Sequence, residues 1–462
     1  MKQPKVIELV VKNDLCIGCG LCVGKCSSKA LEMSWNANGF LVPQENGSCD
    51  CNGACLDVCP FNPFPKTEVR TENEIAEIFL TKAKQRNSKI GKYNEIYAGF
   101  SKKYRLSSSS GGLGTYVCAT LLEKNIVDHI FSIQESKTPG LHYEYSVCSS
   151  KSDLLKASKT RYFPVSMANV FSEIQQVEGR IAVVGVGCFI KAIRLAQYAD
   201  PHLKEKIPFL VGIICGGVKS KFFTEYLASK VGVQPQNIRN PEFRKKDVSS
   251  TAFDYSFSVS DHGTEKSIKM RTVGDMWGTG LFKANACDFC DDVTTELADI
   301  SLGDAWLDPY DQDGKGTNVV VTRSPLANQI IQDGIANQTL MMDQLPIERF
   351  LASQQGSFNH RHTGMPTRIA KAKRNKKLVP PKRHEKEKST LDFKLVQKQR
   401  MKVRTLSLEL WKQYPNAEDF DKMMEKPLSK LRFYTKIYHH RRKWSNRKSK
   451  LVNLIKQRLF HK

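Results

Sequence analysis

Fourteen cysteines carry the clearest chemistry in this 462-residue sequence, and eight of them fall between Cys16 and Cys59. Cys16-x2-Cys19-x2-Cys22-x3-Cys26 lets a tight turn, freed by Gly18 and Gly20, curl three thiolates round one [4Fe-4S] cube while the fourth cysteine reaches a second. The second group that this arrangement needs is Cys49, Cys51, Cys55 and Cys59, with Pro60 after the last. On that logic Cys16, Cys19, Cys22 and Cys59 hold one cluster, and Cys49, Cys51, Cys55 and Cys26 the other. Two departures stand out. The second group reads C-x-C-x3-C-x3-C-P, with its middle cysteine displaced by one position, and Ser27 follows Cys26 where proline is usual. Four thiolates also suit tetrahedral zinc, but eight cysteines in this phasing favour iron-sulfur chemistry.

Six cysteines remain. Cys188 and Cys215 each follow an apolar run, Ile181 to Val186 and Phe209 to Ile214, that reads as a buried strand; the carboxyl ends of such strands are where open α/β sheets place ligands. Cys287-Asp288-Phe289-Cys290 is a C-x2-C pair lacking two partners. A fold that joins the three elements makes a third four-thiolate site; otherwise Cys188 and Cys215 are small buried hydrophobes. Cys118, inside a predicted helix, and Cys148 are read as structural. Ser107 to Thr115 (SSSSGGLGT) places small residues ahead of a helix, so its backbone N–H groups could face a phosphate. Taken alone, such a loop is better explained as an ordinary surface turn.

The elements that must position these groups follow a strand, glycine turn, helix pattern from about Ile96 onward. Ile96 to Phe100 reads as a strand and Tyr116 to Lys124 as a helix, and the whole predicts an α/β core with parallel strands, α+β overall. Thr71-Glu72-Asn73-Glu74 is a capping box, and with Ile75, Ile78 and Phe79 at helical spacing it predicts a linker helix within residues 67–95. The boundaries expected are 1–66 for the Cys-rich domain, 96–365 for the α/β domain and 366–462 for a basic extension.

Charge sharpens that last boundary. The chain carries a formal charge of +24, but residues 368–462 hold 30 Lys and Arg against 8 Asp and Glu, leaving 41 against 39 in the rest. Nucleic-acid binding is therefore not expected of the body. Lys371 to Lys388, with nine Lys or Arg in eighteen residues and Pro380-Pro381 inside it, predicts a solvated linker or arm. Leu451, Leu454, Ile455 and Leu459 predict a basic amphipathic terminal helix. The stretch Tyr438 to Lys462 suits an anionic membrane surface, or an acidic protein, as well as it suits a solvated arm. No apolar run approaches the roughly 18 residues of a membrane span, and no secretory signal is evident. Free thiols in metal-ligand spacing point to a cytoplasmic location, with peripheral attachment at the inner membrane face if the tail binds lipid.

Residues 96 to about 365 resemble the family of coenzyme F420 hydrogenase/dehydrogenase beta subunits. The matching stretches are SSSSGGLGTYV (107–117), LEKNIVDHIF (122–131), KTRYF (159–163), VVGVGCFIKAIR (183–194), VGIICGGVKS (211–220), EFRKKD (242–247) and ACDFCDDVTTELADISLGDAW (286–306). The Cys-rich segment in front resembles a bacterial two-cluster ferredoxin, and the basic tail is unmatched. The resemblance implies a flavoprotein with FAD in the α/β domain. Ser109, Ser110, Gly111, Gly112, Gly114 and Thr115 would contact the flavin, and Lys159, Arg161 and Tyr162 would lie near its phosphates or the substrate. Cys188, Cys215, Cys287 and Cys290 would hold a third [4Fe-4S] cluster. One departure is Gly185-Val186-Gly187-Cys188, which stands where the family has Gly-Thr-Pro-Cys.

Because clusters pass single electrons and most organic reductions need two, a flavin between them acts as a converter. The leading expectation is an oxidoreductase that accepts electrons from a ferredoxin or other redox protein and reduces, or in reverse oxidises, a small organic acceptor. The alternative is an electron-relay subunit serving a partner enzyme. Asp299, Asp304 and Asp308 cluster after Cys290, and such acids more often cap backbone or satisfy arginine than donate protons.

Overall fold

The computed structural model describes residues 3–138 and 140–460, with side chains as far as Trp444. Its centre is an eight-stranded mixed sheet whose strands lie in the order Leu340–Gln344, Glu95–Ser101, Asn318–Thr322, Ile300–Asp304, Phe209–Ile213, Ile181–Val186, His129–Glu135 and Tyr143–Cys148. The four strands from Ile300–Asp304 to His129–Glu135 run parallel, and the others are antiparallel to their neighbours. Period-2 alternation puts Ala182, Phe209 and Val211 on a face covered by the helices Leu113–Glu123 and Pro325–Ala336, and Ile181, Val183 and Leu210 on the other. The second face is covered by the helices Gly187–Ala199 and Lys221–Ser229 and, in the same continuous core, by Val6, Leu21 and Leu56 of the Cys-rich segment. The α/β expectation is met. A separate three-stranded antiparallel sheet spans Arg239–Lys245, Ser256–Asp261 and Thr264–Lys269.

The capping box forms as expected: Thr71 N donates to Glu74 Oε2 at 2.7 Å, and the Thr71 hydroxyl accepts from Asn73 N. The linker helix, however, fills only a small part of residues 67–95. It covers Glu72–Phe79 only, and a two-stranded hairpin, Gln85–Asn87 with Gly91–Tyr93, follows. Asn87 Oδ1 accepts from Lys89 N, and Gly91 takes the left-handed φ of +71° that the turn requires.

The larger correction concerns the tail. Lys371 to Lys388 is not a solvated arm throughout, because Lys382 and His384 are buried and the Arg383 side chain is 7% exposed. Three helices, Met365–Arg374, Leu391–Gln413 and Ala417–Phe460, carry the extension. Val396, Val403 and Trp411 fall on one face of the second helix and are buried. Trp411 joins Tyr226, Phe282 and Phe420 in an aromatic cluster with ring centroids 5.1 to 5.9 Å apart, and its Nε1 donates to Glu225 Oε2 at 2.9 Å. The terminal segment is helical in backbone to Phe460, and the apolar stripe expected at Leu451, Leu454, Ile455 and Leu459 lies outside the described side chains. Among the described residues no helix is long and apolar enough to cross a membrane.

Candidate redox centre

Gly20 and Gly53, both in the left-handed region, open two four-residue helices, Leu21–Gly24 and Ala54–Asp57. These turns gather Cys16, Cys19, Cys22 and Cys59 round a small cavity whose other walls include Val6, Val10, Leu15, Val58 and Phe61. Burial pushes the Cys16 thiol up to about 12 and the Cys19 thiol to about 11. Cys22 and Cys59 go well above the ordinary value, by burial first and then through one or more of the neighbouring thiols Cys16, Cys19 and Cys55. Such thiols ionise only if a cation shares the space, so metal would be taken up with release of protons. Burial also raises Cys55, whose sulfur neighbours are Cys49 and Cys26; Cys51 N donates to Cys49 Sγ at 3.2 Å. Among the described residues no three His, Cys, Asp or Glu side chains converge closely enough to hold a single metal ion. The first four thiols ring a space; they do not meet at a point.

The first of these groups is pressed against the α/β body. Met167 N donates to Cys19 O at 2.9 Å, and a Cβ on Gly20 would stand 2.1 Å from Ser166 Oγ. Beyond that contact the strand Ile181–Val186 leads into Cys188, and Phe209–Ile213 leads into Cys215. An antiparallel bridge between Lys219 and Lys283, with Ala284 N donating to Val218 O, brings the Cys287 turn alongside. Cys188, Cys215, Cys287 and Cys290 thus come together from three segments. Burial raises the Cys188 thiol most, followed by the charges of Cys290, Cys287, Cys215 and then Cys19. Backbone donors already face this group, with Gly217 N 3.2 Å from Cys215 Sγ and Val218 N 3.2 Å from Cys287 Sγ, as sulfurs carrying negative charge require. The donor set fits an iron-sulfur cluster. Cys118 and Cys148 are buried in the core cluster on the opposite face, as expected of structural cysteines.

A set of buried acids lies beside Cys287 and Cys290. Asp288 pairs with Lys283 at 2.7 Å and Arg404 at 3.1 Å. Arg383 holds Glu296 with two bonds of 2.6 and 2.8 Å and reaches toward Asp291 and Glu72, while Lys191 pairs with Glu72 at 3.0 Å. Against the effect of burial, Lys283 and Arg404 hold the Asp288 carboxyl, and Lys382 and Arg383 the Asp291 carboxyl, well below the usual range. The basic tail is thus fixed by acids that come from the ACDFCDDVTTELAD stretch. Asp299 and Asp304 satisfy Arg194 and Arg244 at 3.1 and 2.5 Å, the structural role expected of them.

On the far side of Cys215, Gly216 leaves room for the Trp277 ring, and Trp277 meets Tyr162 edge-on at 4.7 Å. Thr160 N donates to Ser109 Oγ at 2.9 Å, so the KTRYF segment lies against the serine-glycine loop. Several polar groups of the loop are engaged internally: Ser110 Oγ donates to Thr317 O, Thr115 pairs with Ser108, and Leu113 N donates to Asn318 Oδ1. Gly111 and Gly112 are required by close packing on Gly99 and Tyr104, whereas Gly114 has open room. Lys159 pairs with Glu242 at 2.8 Å, and Arg161 lies over the Tyr143 ring.

Sequence reasoning assigned no role to Lys246, although EFRKKD was singled out. Lys246 Nζ donates to the carbonyls of Arg105, Ser110 and Lys315 at 2.5 to 2.7 Å. Burial, then Arg244, Arg105 and Lys159, push its ammonium down to about 7. Arg161 and Arg244 each keep a buried Nε without a hydrogen-bond partner. Lys246 spends its three donors on carbonyls and Arg244 pairs with Asp304, so the unpartnered Nε groups of Arg161 and Arg244 are the donors left to fit an anionic group such as a diphosphate.

Four thiols gathered at the ends of two parallel strands and an adjoining turn, next to a Cys-rich segment, are the donor set of an electron-transferring oxidoreductase subunit. The chain belongs to the family of coenzyme F420 hydrogenase/dehydrogenase beta subunits: the model of its N-terminal part matches residues 96–172 and that of its C-terminal part residues 178–347, together more than half the chain. It is 23% identical over 308 residues to an F(420)H(2) dehydrogenase subunit of Methanosarcina mazei, a match covering 65% of this chain and 78% of that protein. It is 24% identical over 267 residues to the beta subunit of coenzyme F420 hydrogenase of Methanococcus voltae, covering 55% and 90%. A further similarity, 33% over 67 residues, is to a ferredoxin of Pyrobaculum islandicum, covering 14% and 60%.

Proposed function

We propose that the chain is an iron-sulfur flavoprotein in which electrons from a ferredoxin-type donor enter at the Cys-rich segment and leave beside the serine-glycine loop to reduce a small organic acceptor. The observation that carries this is the position of Cys188, which interacts with Cys215, Cys287 and Cys290 on one side and with Cys19 on the other. Tyr145, buried and stacked on Phe189, has both Cys188 and Cys19 as electrostatic neighbours, so the two thiol groups lie near each other. Cys16, Cys19, Cys22 and Cys59 would hold one [4Fe-4S] cluster, Cys26, Cys49, Cys51 and Cys55 a second, and Cys188, Cys215, Cys287 and Cys290 a third. FAD, when bound, supplies the conversion between single electrons and a hydride pair. The chain's own residues would hold its charge: Arg161 and Arg244 offer the phosphates their unpartnered Nε groups, Lys246 exchanges a carbonyl and Lys159 exchanges Glu242 for ligand, and Tyr162 with Trp277 shields the approach to Cys215.

Anaerobic purification with iron, sulfide and flavin quantification tests this reading. About twelve irons with one FAD is the expected result for three [4Fe-4S] clusters. Full iron without flavin would reduce the protein to a relay, and zinc in place of iron would end the proposal. A relay reading draws its support from the two F420-linked relatives above, both of which are named as subunits. Steady turnover by the isolated chain decides between the two.

A further inference from the structure

Residue 361 lies beyond the part of the chain that the family models match. Its side chain nevertheless enters the third cysteine group. Arg361 is 5% exposed, and one guanidinium nitrogen, Nη1, donates to Cys290 Sγ at 3.3 Å and to Asp292 O, while the other, Nη2, donates to Cys215 O. One fork therefore ties together two of the three segments that supply this group's sulfurs.

The guanidinium is also the leading positive charge on Cys215 and Cys290, whereas Lys283 leads on Cys287. Cys290, Cys215 and Cys287 are its leading electrostatic neighbours, and Asp292 is the nearest acid after them. Other cations in the neighbourhood are committed elsewhere: Lys283 and Arg404 to Asp288, and Lys382 and Arg383 to Asp291 and Glu296. The contrast with the Cys16 group is direct, because the walls of that cavity carry no charged side chain.

We infer that Arg361 is a positioning residue that favours the reduced form of the cluster held by Cys188, Cys215, Cys287 and Cys290, setting it above the Cys16-group cluster as an electron acceptor. The inference rests on the proposed iron-sulfur reading. Taking up one electron from a donor adds one negative charge at the sulfurs, and a buried cation in contact with Cys290 stabilises that charge with little solvent screening. Electrons delivered to the Cys-rich segment then run downhill toward the Tyr162 side.

The test is an EPR-monitored redox titration of the full chain with dithionite, comparing wild type with Arg361→Gln and Arg361→Lys at equal iron content. In Arg361→Gln one cluster signal moves at least tenfold toward the oxidised form, a shift of about 59 mV for one electron. The remaining signals hold their midpoints, and Arg361→Lys recovers most of the shift. Unchanged midpoints in Arg361→Gln with iron complete would overturn the inference. Should Arg361→Gln lose iron, retention of iron by Arg361→Lys supports the need for charge. Loss in both variants makes the fork a purely structural clamp and overturns it. Wild-type protein that binds no iron defeats the iron-sulfur reading itself, an outcome distinct from all of these.

Discussion

The Cys16 group and the Cys188 group are both ringed by buried thiols, yet they are built in opposite ways. The first draws its sulfurs from residues 16–59 and closes them in an apolar pocket lined by Val6, Val10 and Phe61. The second takes its sulfurs from the ends of two parallel strands and a distant turn, and surrounds them with Arg361 and a set of neutralised acids. A motif that folds on its own turns needs residues in the left-handed region, here Asp14, Lys29 and Cys51 as well as Gly18, Gly20 and Gly53. A site assembled by a sheet needs charge balance, because the segments converging on it bring Asp288, Asp291, Asp292 and Glu296 into the interior.

Breaking the junction between the groups gives the largest effect. Cys188→Ser should remove about four irons of the expected twelve and abolish reduction of bound flavin by reduced ferredoxin, while chemical reduction of the flavin persists. Ferredoxin-dependent flavin reduction at the wild-type rate would show that Cys188 is not the junction.

Next comes the charge balance that only the assembled site requires. Arg383→Met leaves Glu72, Asp291 and Glu296 short of a buried partner and should destabilise the protein by roughly 3 to 5 kcal/mol, read as a lower urea midpoint. A loss below about 1 kcal/mol, the range of exposed pairs, would show that the acids are served adequately by Lys191 and Lys382.

A smaller effect belongs to the anion site. Lys246 is held near 7 by burial and by Arg244, Arg105 and Lys159, with Asp304 opposing them, and on the proposed reading it would return toward its ordinary value when a phosphate arrives. Between those two values binding takes up a proton, so FAD affinity should fall as pH rises above 7, by at most about tenfold per pH unit, and should be flat below it. Titration calorimetry at pH 8 in buffers of different ionisation enthalpy measures that proton, and Lys246→Met should remove it. The smallest effect is expected of Lys422→Ala. Its pairing with Glu418 is solvent-exposed, and the stability change should stay within about 0.5 kcal/mol.

What could be read from the sequence divides along the same line. The strand Ile181–Val186 and the capping box at Thr71 were legible because their signals are local. The hairpin after Phe79 was not, since Asn87 and Gly91 act through a turn hidden in a polar run. Burial of Lys382, Arg383 and His384 was illegible for a deeper reason. Composition reports how many charges a segment holds, but the acids that neutralise them lie at Glu72 and between Asp291 and Glu296. Arg361 sat in the basic run His360-Arg361-His362, a signal that gained meaning only once Cys290 was beside it.

That dependence of the centre on distant residues also sets an order of assembly. During synthesis, the residues needed to enclose the Cys16 group are all present once Phe61 has emerged. Asp288 has Lys283 beside it from the start, but Asp291 meets Lys382 and Arg383, and Asp288 its second partner Arg404, only after the tail has been made. Since domains generally fold as units, amino-terminal first, the Cys-rich segment can close while translation continues. The charge balance round the centre at Cys188 is complete only once Arg404 has been made.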